Sequence, residues 1–176
     1  CKKYEFSVRW HPFMIRPQIP LEGEPKPPDT PGNPRVARHR PLGEGIQDQA
    51  VNIDFTGKSD IRPNTALSHV LMDFTLQKYG AERQNDLAES LFKAYFTDGT
   101  QLNKADLLDL AREMNLDVAA ADQAMSDQAM FEEIYKKDEE WKKKGVSGVP
   151  YFLMNGKPTF SGAQDVSAFL ATFEKV

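Results

Sequence analysis

Residues 145–156 read Gly145-Val146-Ser147-Gly148-Val149-Pro150-Tyr151-Phe152-Leu153-Met154-Asn155-Gly156. A proline has no N–H for a ladder, so Pro150 belongs at the first position of a strand. Tyr151–Met154 then supplies a short, almost continuous apolar strand. Asn155-Gly156 is the strongest hairpin signal in the chain, because both residues tolerate positive φ. Residues 157–161 return as the partner strand. Beyond them Val166, Phe169, Leu170 and Phe173 share one face of a terminal helix. Spacing alone leaves the Val149–Pro150 bond open: a plain turn and a cis peptide both fit, and cis is the rarer form at X–Pro.

Upstream of this strand the period is helical. Leu67, Val70, Leu71 and Phe74 fall at i, i+3, i+4 and i+7. Leu87, Leu91 and Tyr95 continue after Gly80, and Leu107, Leu110, Ala111 and Met114 form a third stripe with Asn103 placed as its N-cap. A short helix is expected over 118–125. A longer one is expected over 127–144, with Met130, Ile134 and Trp141 inward. It ends in Lys142-Lys143-Lys144-Gly145, cations suited to the helix dipole followed by a left-handed stop.

At the other end, Tyr4-Glu5-Phe6-Ser7-Val8-Arg9-Trp10 alternates apolar and polar residues and predicts a half-buried strand. Eight of the twelve prolines follow, from Pro12 to Pro34. They predict a non-helical crossing, read first as a surface connector. Arg35–Arg40, with His39, reads as a solvated basic face, and Val51–Phe55 as a short strand or an extended loop. The coarse order is strand, helical insert, hairpin, helix, an α/β or α+β arrangement.

The 176 residues suffice for one core, with a formal net charge of −4 and a pI near 5.4. No whole-protein basic field exists to hold a nucleic-acid backbone or an anionic membrane. No apolar run reaches the roughly 20 residues that span a bilayer, and no apolar secretory core follows Cys1-Lys2-Lys3-Tyr4. Cys1 is the single cysteine. It excludes an intrachain disulfide and fits a reducing, cytoplasmic setting. A start at Cys rather than Met reads as a processed or truncated product.

Chemical motifs are few. The sequence has no Gly-rich phosphate loop, Gly-x-Ser-x-Gly elbow or His-Glu-x-x-His pair. His11, His39 and His69 lie far apart and make no metal-ligand spacing, so no metal is expected. Glu132-Glu133 and Glu139-Glu140 lie among lysines and read as a solvated face.

Taken together, residues 144–164 resemble the cis-proline loop and β-hairpin of the DsbA-like thioredoxin superfamily, closest to the FrnE-like subgroup. That subgroup is related to 2-hydroxychromene-2-carboxylate isomerases and kappa-class glutathione transferases. Val8-Arg9-Trp10-His11-Pro12-Phe13, Asn64-Thr65 with Ser68-His69, and Leu91-Phe92-Lys93-Ala94-Tyr95-Phe96 match elsewhere, in order. The proline-rich 25–34 stretch departs from the subgroup's pattern.

The resemblance implies an α/β thioredoxin-like fold with an all-helical insertion. Its parts would be 1–62 (first strand and proline-rich crossing), 63–145 (helical lobe) and 146–176 (loop, hairpin and last helix). It implies a cis Val149–Pro150 bond and a substrate-binding loop at Gly148, Val149, Pro150 and Tyr151, where an extended substrate adds as a strand. Ser161, Gly162, Ala163 and Gln164 match the turn where relatives that use glutathione contact it. Asn64 and His69 are candidates beside the site, each with a structural alternative as a cap and a buried histidine. His11 reads as structural.

The activity implied is thiol–disulfide oxidoreduction on disulfide-bearing proteins or small thiols, with glutathione as a candidate co-substrate and no other cofactor. The rivals are a glutathione-dependent isomerase or transferase and a non-catalytic peptide-binding module. The family's first strand, Cys-x-x-Cys turn and first helix find no counterpart in the chain, so the catalytic cysteines are expected upstream of Cys1, and this chain alone is expected to be inactive. Cys1 itself opens no helix and reads as incidental. The missing strand leaves a gap between the 4–10 strand and the hairpin. Direct closure, a homodimer through the exposed edge, or further chain before Cys1 would each fill it.

Overall fold

The computed structural model describes residues 4–26 and 59–175. The expectations for Cys1, for Pro27–Pro34, for the Arg35–Arg40 cluster with His39, and for Val51–Phe55 lie outside those residues.

Most of the described chain is helical. Helix α1 spans Ala66–Tyr79, α2 Ala81–Phe92, α3 Lys104–Glu113, α4 Val118–Ser126 and α5 Gln128–Lys143. Between α2 and α3, Lys93–Asp98 widens into a π-helical segment. The apolar stripes close on one core in which Val70, Leu71, Leu87, Leu107, Ala111 and Ile134 meet, together with Met14 from the N-terminal segment. The helix starts follow side-chain chemistry. Asn103 accepts from the Asp106 N–H while Asp106 accepts from the Asn103 N–H, a capping box on α3. Asp117 and Asp127 cap α4 and α5 in the same sense.

The end of α5 aims the chain at the loop that follows. Gly145 takes φ +89°. Its N–H donates to the Lys142 carbonyl (3.0 Å), and the Val146 N–H donates to the Trp141 carbonyl (3.1 Å). This is a Schellman stop, sealed by buried Val146. The chain then enters β3, Tyr151–Met154, turns at Asn155-Gly156 (φ 49° and 76°), and returns as β4, Lys157–Ser161. Met154 pairs with Lys157, Leu153 with Pro158, Phe152 with Phe160 and Tyr151 with Ser161, a bulge leaving Thr159 unpaired. Helix α6, Val166–Phe173, follows. It joins the hairpin through Phe169, whose ring lies 5.0 Å from those of both Phe152 and Phe160.

The strand predicted over Tyr4–Trp10 does not form. The period of two is present, but a strand needs a ladder, and no described strand pairs with it. Phe6 and Val8 stay 61 % and 50 % exposed. The segment is anchored instead by rings, Phe6 on Phe173 at 4.9 Å and Trp10 on Phe92 at 5.5 Å. Direct closure of the gap is therefore corrected: among the described residues, β3 pairs with β4 alone. Nor is β3 buried, since each of its residues keeps partial exposure. A second two-residue ladder, β1 (Glu24–Pro25) with β2 (Ile61–Arg62), has no counterpart in the sequence reading.

Candidate functional site

Two places could carry chemistry. The first is the loop Gly148–Tyr151. The Schellman turn delivers it, and β3 carries it onward. The Val149–Pro150 peptide is cis. The Pro150 carbonyl accepts from the Gly162 N–H at 2.8 Å, which extends the β3–β4 ladder by one step. Val149 is 46 % exposed, and its backbone makes no hydrogen bond among the described residues. Among the described residues the far side of β3 is unpaired as well. An extended chain laid there would find free backbone groups beside an open edge. Gly162 thus fixes the loop through its backbone. Ser161, Ala163 and Gln164 are exposed, and the Gln164 amide turns back to the Gly162 carbonyl (3.5 Å).

The second is a cavity of about 460 Å³ between the 10–19 segment, α1, α2 and the π-helical segment. Its walls are mostly apolar and aromatic, Trp10, Phe13, Phe92, Tyr95 and Phe96 among them. The Trp10 backbone is clamped above it. Gln84 Oε1 accepts from the Trp10 N–H (2.9 Å) and Gln84 Nε2 donates to the Trp10 carbonyl (3.0 Å). One side chain thereby takes the place of a ladder partner. π-Helical turns inside α-helices recur at functional sites, and here Tyr95 and Phe96 of the widened turn both line the cavity.

His69 and His11 both line this cavity. The His69 ring donates to the Phe13 carbonyl, and desolvation pushes its pKa down to about 4 against the opposing pull of Asp138. Though part of the residue remains accessible, the ring is thus a neutral imidazole near neutral pH. His11 stacks edge-on against Trp141 at 5.2 Å. Its pKa is also lowered, first by desolvation and then by Lys137. Burial raises the Tyr95 phenol, with Arg62 opposing. Asp73 is paired with Lys137 (2.8 Å) and Arg62 with Glu24 (2.5 Å).

The structure therefore separates the candidate residues. Gly148–Tyr151 and Ser161–Gln164 belong to the hairpin, and none of them lines the cavity, whereas His69 does. Asn64 is consumed structurally. Its Oδ1 accepts from the Ala66 N–H (2.8 Å) to start α1, and its Nδ2 donates to the Ile19 carbonyl (2.6 Å). Sequence reasoning missed Arg16 and Ser68 as cavity-lining groups. Arg16 was hidden among the prolines of the crossing; its one available signal was a cation directly after the apolar run Phe13-Met14-Ile15. Among the described residues no group of His, Cys, Asp and Glu could hold a metal ion. No described helix is long and apolar enough to cross a membrane.

Comparison with known proteins gives one family: the model described as DSBA-like thioredoxin domain matches residues 1–174. No curated protein matches.

Proposed function

The chain belongs to the DSBA-like thioredoxin domain family, and from that premise we propose that it serves a FrnE-like, cytoplasmic thiol–disulfide oxidoreductase. The substrate is an extended segment of a disulfide-bearing protein, or a small thiol. It lies along Gly148–Tyr151 and adds as a strand to the open edge of β3. The observation that supports this best is the unoccupied backbone of Val149, exposed beside that edge.

In such an enzyme one cysteine thiolate attacks a substrate sulfur and forms a mixed disulfide. The second thiolate then attacks that bond, releases the substrate as a dithiol and leaves the enzyme oxidised. Two cysteines are needed, and the 176 residues contain one. By this reading the chain contributes the substrate groove, and the dithiol comes from outside these residues.

The test is a titration of the ¹⁵N-labelled chain with an unstructured peptide. Shifts concentrated at Gly148, Val149 and Tyr151 are expected, together with insulin reduction no faster than an equimolar free thiol. Shifts that avoid this loop, or clear insulin turnover by these residues alone, would overturn it.

A further inference from the structure

We propose that Asn155 is a modification site: it loses its side-chain amide spontaneously to attack by the Gly156 nitrogen, and the isoaspartyl product releases the hairpin that carries the Val149–Pro150 loop. The reaction does not rest on the substrate reading of that loop.

Among the chain's asparagines, Asn155 alone precedes a glycine. Both residues are exposed at the β3–β4 turn, and surface turns move more than the elements they join. Neither the Asn155 side chain nor the Gly156 N–H has a hydrogen-bond partner among the described residues. A Cβ at Gly156 would meet no atom within 4 Å, and glycine brings none of its own, so its nitrogen is open to approach. Among the described residues β3 pairs with β4 alone, and neither strand holds a fully buried residue. The turn therefore opens more readily than the helical core. Asn115 shows the opposite arrangement. It too has positive φ, 55°. The N–H that would attack it belongs to Leu116, which is 5 % exposed and donates to the Ala111 carbonyl at 2.8 Å.

The Gly156 amide sheds its proton, and its nitrogen attacks Asn155 Cγ. The Cγ–Nδ2 bond breaks, and ammonia leaves with that proton, closing a cyclic imide. Water opens the imide at either of its carbonyls. One opening gives aspartate. The other gives isoaspartate, whose main chain runs through Cβ and Cγ. That route adds an atom to a two-residue turn, and turn length sets register. The facing pair Met154 and Lys157 is then thrown out of step.

The test incubates the 176-residue chain at pH 8 and follows each asparagine by peptide mass, with chromatography separating the two acidic products. Asn155 should convert at least about tenfold faster than Asn115, whose attacking amide must first be freed from its bond. Conversion should slow at pH 6, where the nitrogen keeps its proton. The purified isoaspartyl form should lose the cross-strand Tyr151–Ser161 contact in NMR spectra, with the α1–α5 resonances unmoved, and the aspartyl form should keep it. Asn155→Gly suits positive φ and has no amide to lose, so it should pass the same incubation with the contact intact. Three results would each refute the site: an Asn155 that stays amidated while a free peptide of residues 151–160 converts, equal rates at Asn155 and Asn115, or an isoaspartyl chain that retains the Tyr151–Ser161 contact.

Discussion

At the scale of single residues, the N-terminal segment hangs on one buried carboxylate. Asp138 is 2 % exposed. It accepts from the Met14 N–H (2.7 Å) and from Lys142 Nζ (2.6 Å), and Lys142 also donates to the Met14 carbonyl (3.0 Å). Removing the carboxylate strands a buried N–H and a cation. Asp138→Ala should therefore cost about 3–5 kcal/mol in urea unfolding, and Asp138→Asn, which can still accept from Met14, should cost less. His69 governs the acid limit. Its folded pKa of about 4 lies below the ordinary value near 6.5, so between these values the unfolded chain binds the extra proton. Stability from this residue is complete above about pH 6.5 and is lost as pH falls toward 4, where the loss approaches about 3 kcal/mol. Urea unfolding at pH 7 and pH 4.5 should show a smaller acid loss for His69→Gln than for the wild type; equal losses would reject the assignment.

At the scale of elements, structure followed sequence wherever a segment could satisfy itself. Helices satisfy their own backbone, so Leu67–Phe74, Leu107–Met114 and Met130–Trp141 were readable from period alone. Asn103 and Gly145 marked a start and a stop because capping is local chemistry. Tyr4–Trp10 failed because a strand's hydrogen bonds belong to another segment, which no local period reports. The β1–β2 ladder escaped notice for the same reason, two residues on each side being too few for any period. Two changes probe the local devices. Asn103→Ala should remove about 1 kcal/mol through the lost capping box, read as a lower urea midpoint. Gly156→Val forces a β-branched residue to φ 76°, where the left-handed region costs an ordinary residue about 1–2 kcal/mol. Loss of the cross-strand Tyr151–Ser161 contact in NMR spectra, with the α1–α5 resonances unmoved, is the expected result.

At the scale of the whole molecule, stability and the candidate binding loop sit in different places. The described buried apolar side chains run from Met14 to Val146. None of those of β3, β4 and α6 is fully buried, and Val166 and Leu170 on α6 are 68 % and 57 % exposed. The two candidate sites inherit this division. The hairpin loop was legible, since Gly148–Gln164 is one continuous run. The cavity was not, since Arg16, Ser68 and Phe96 come to line it only through tertiary packing. A lobe with a core and a hairpin held by rings should open with different free energies. Hydrogen exchange then has a definite expected pattern. Amides of Leu71, Leu87 and Ile134 should exchange slowest. Those of Tyr151–Met154 should exchange at least about 100-fold faster, the ratio set by roughly 2.7 kcal/mol of opening free energy. Equal protection would mean that the open edge of β3 is paired after all. A second measurement at tenfold higher protein concentration then separates the causes: protection that rises with concentration comes from edge-to-edge pairing of two copies, and protection that stays constant comes from within the chain.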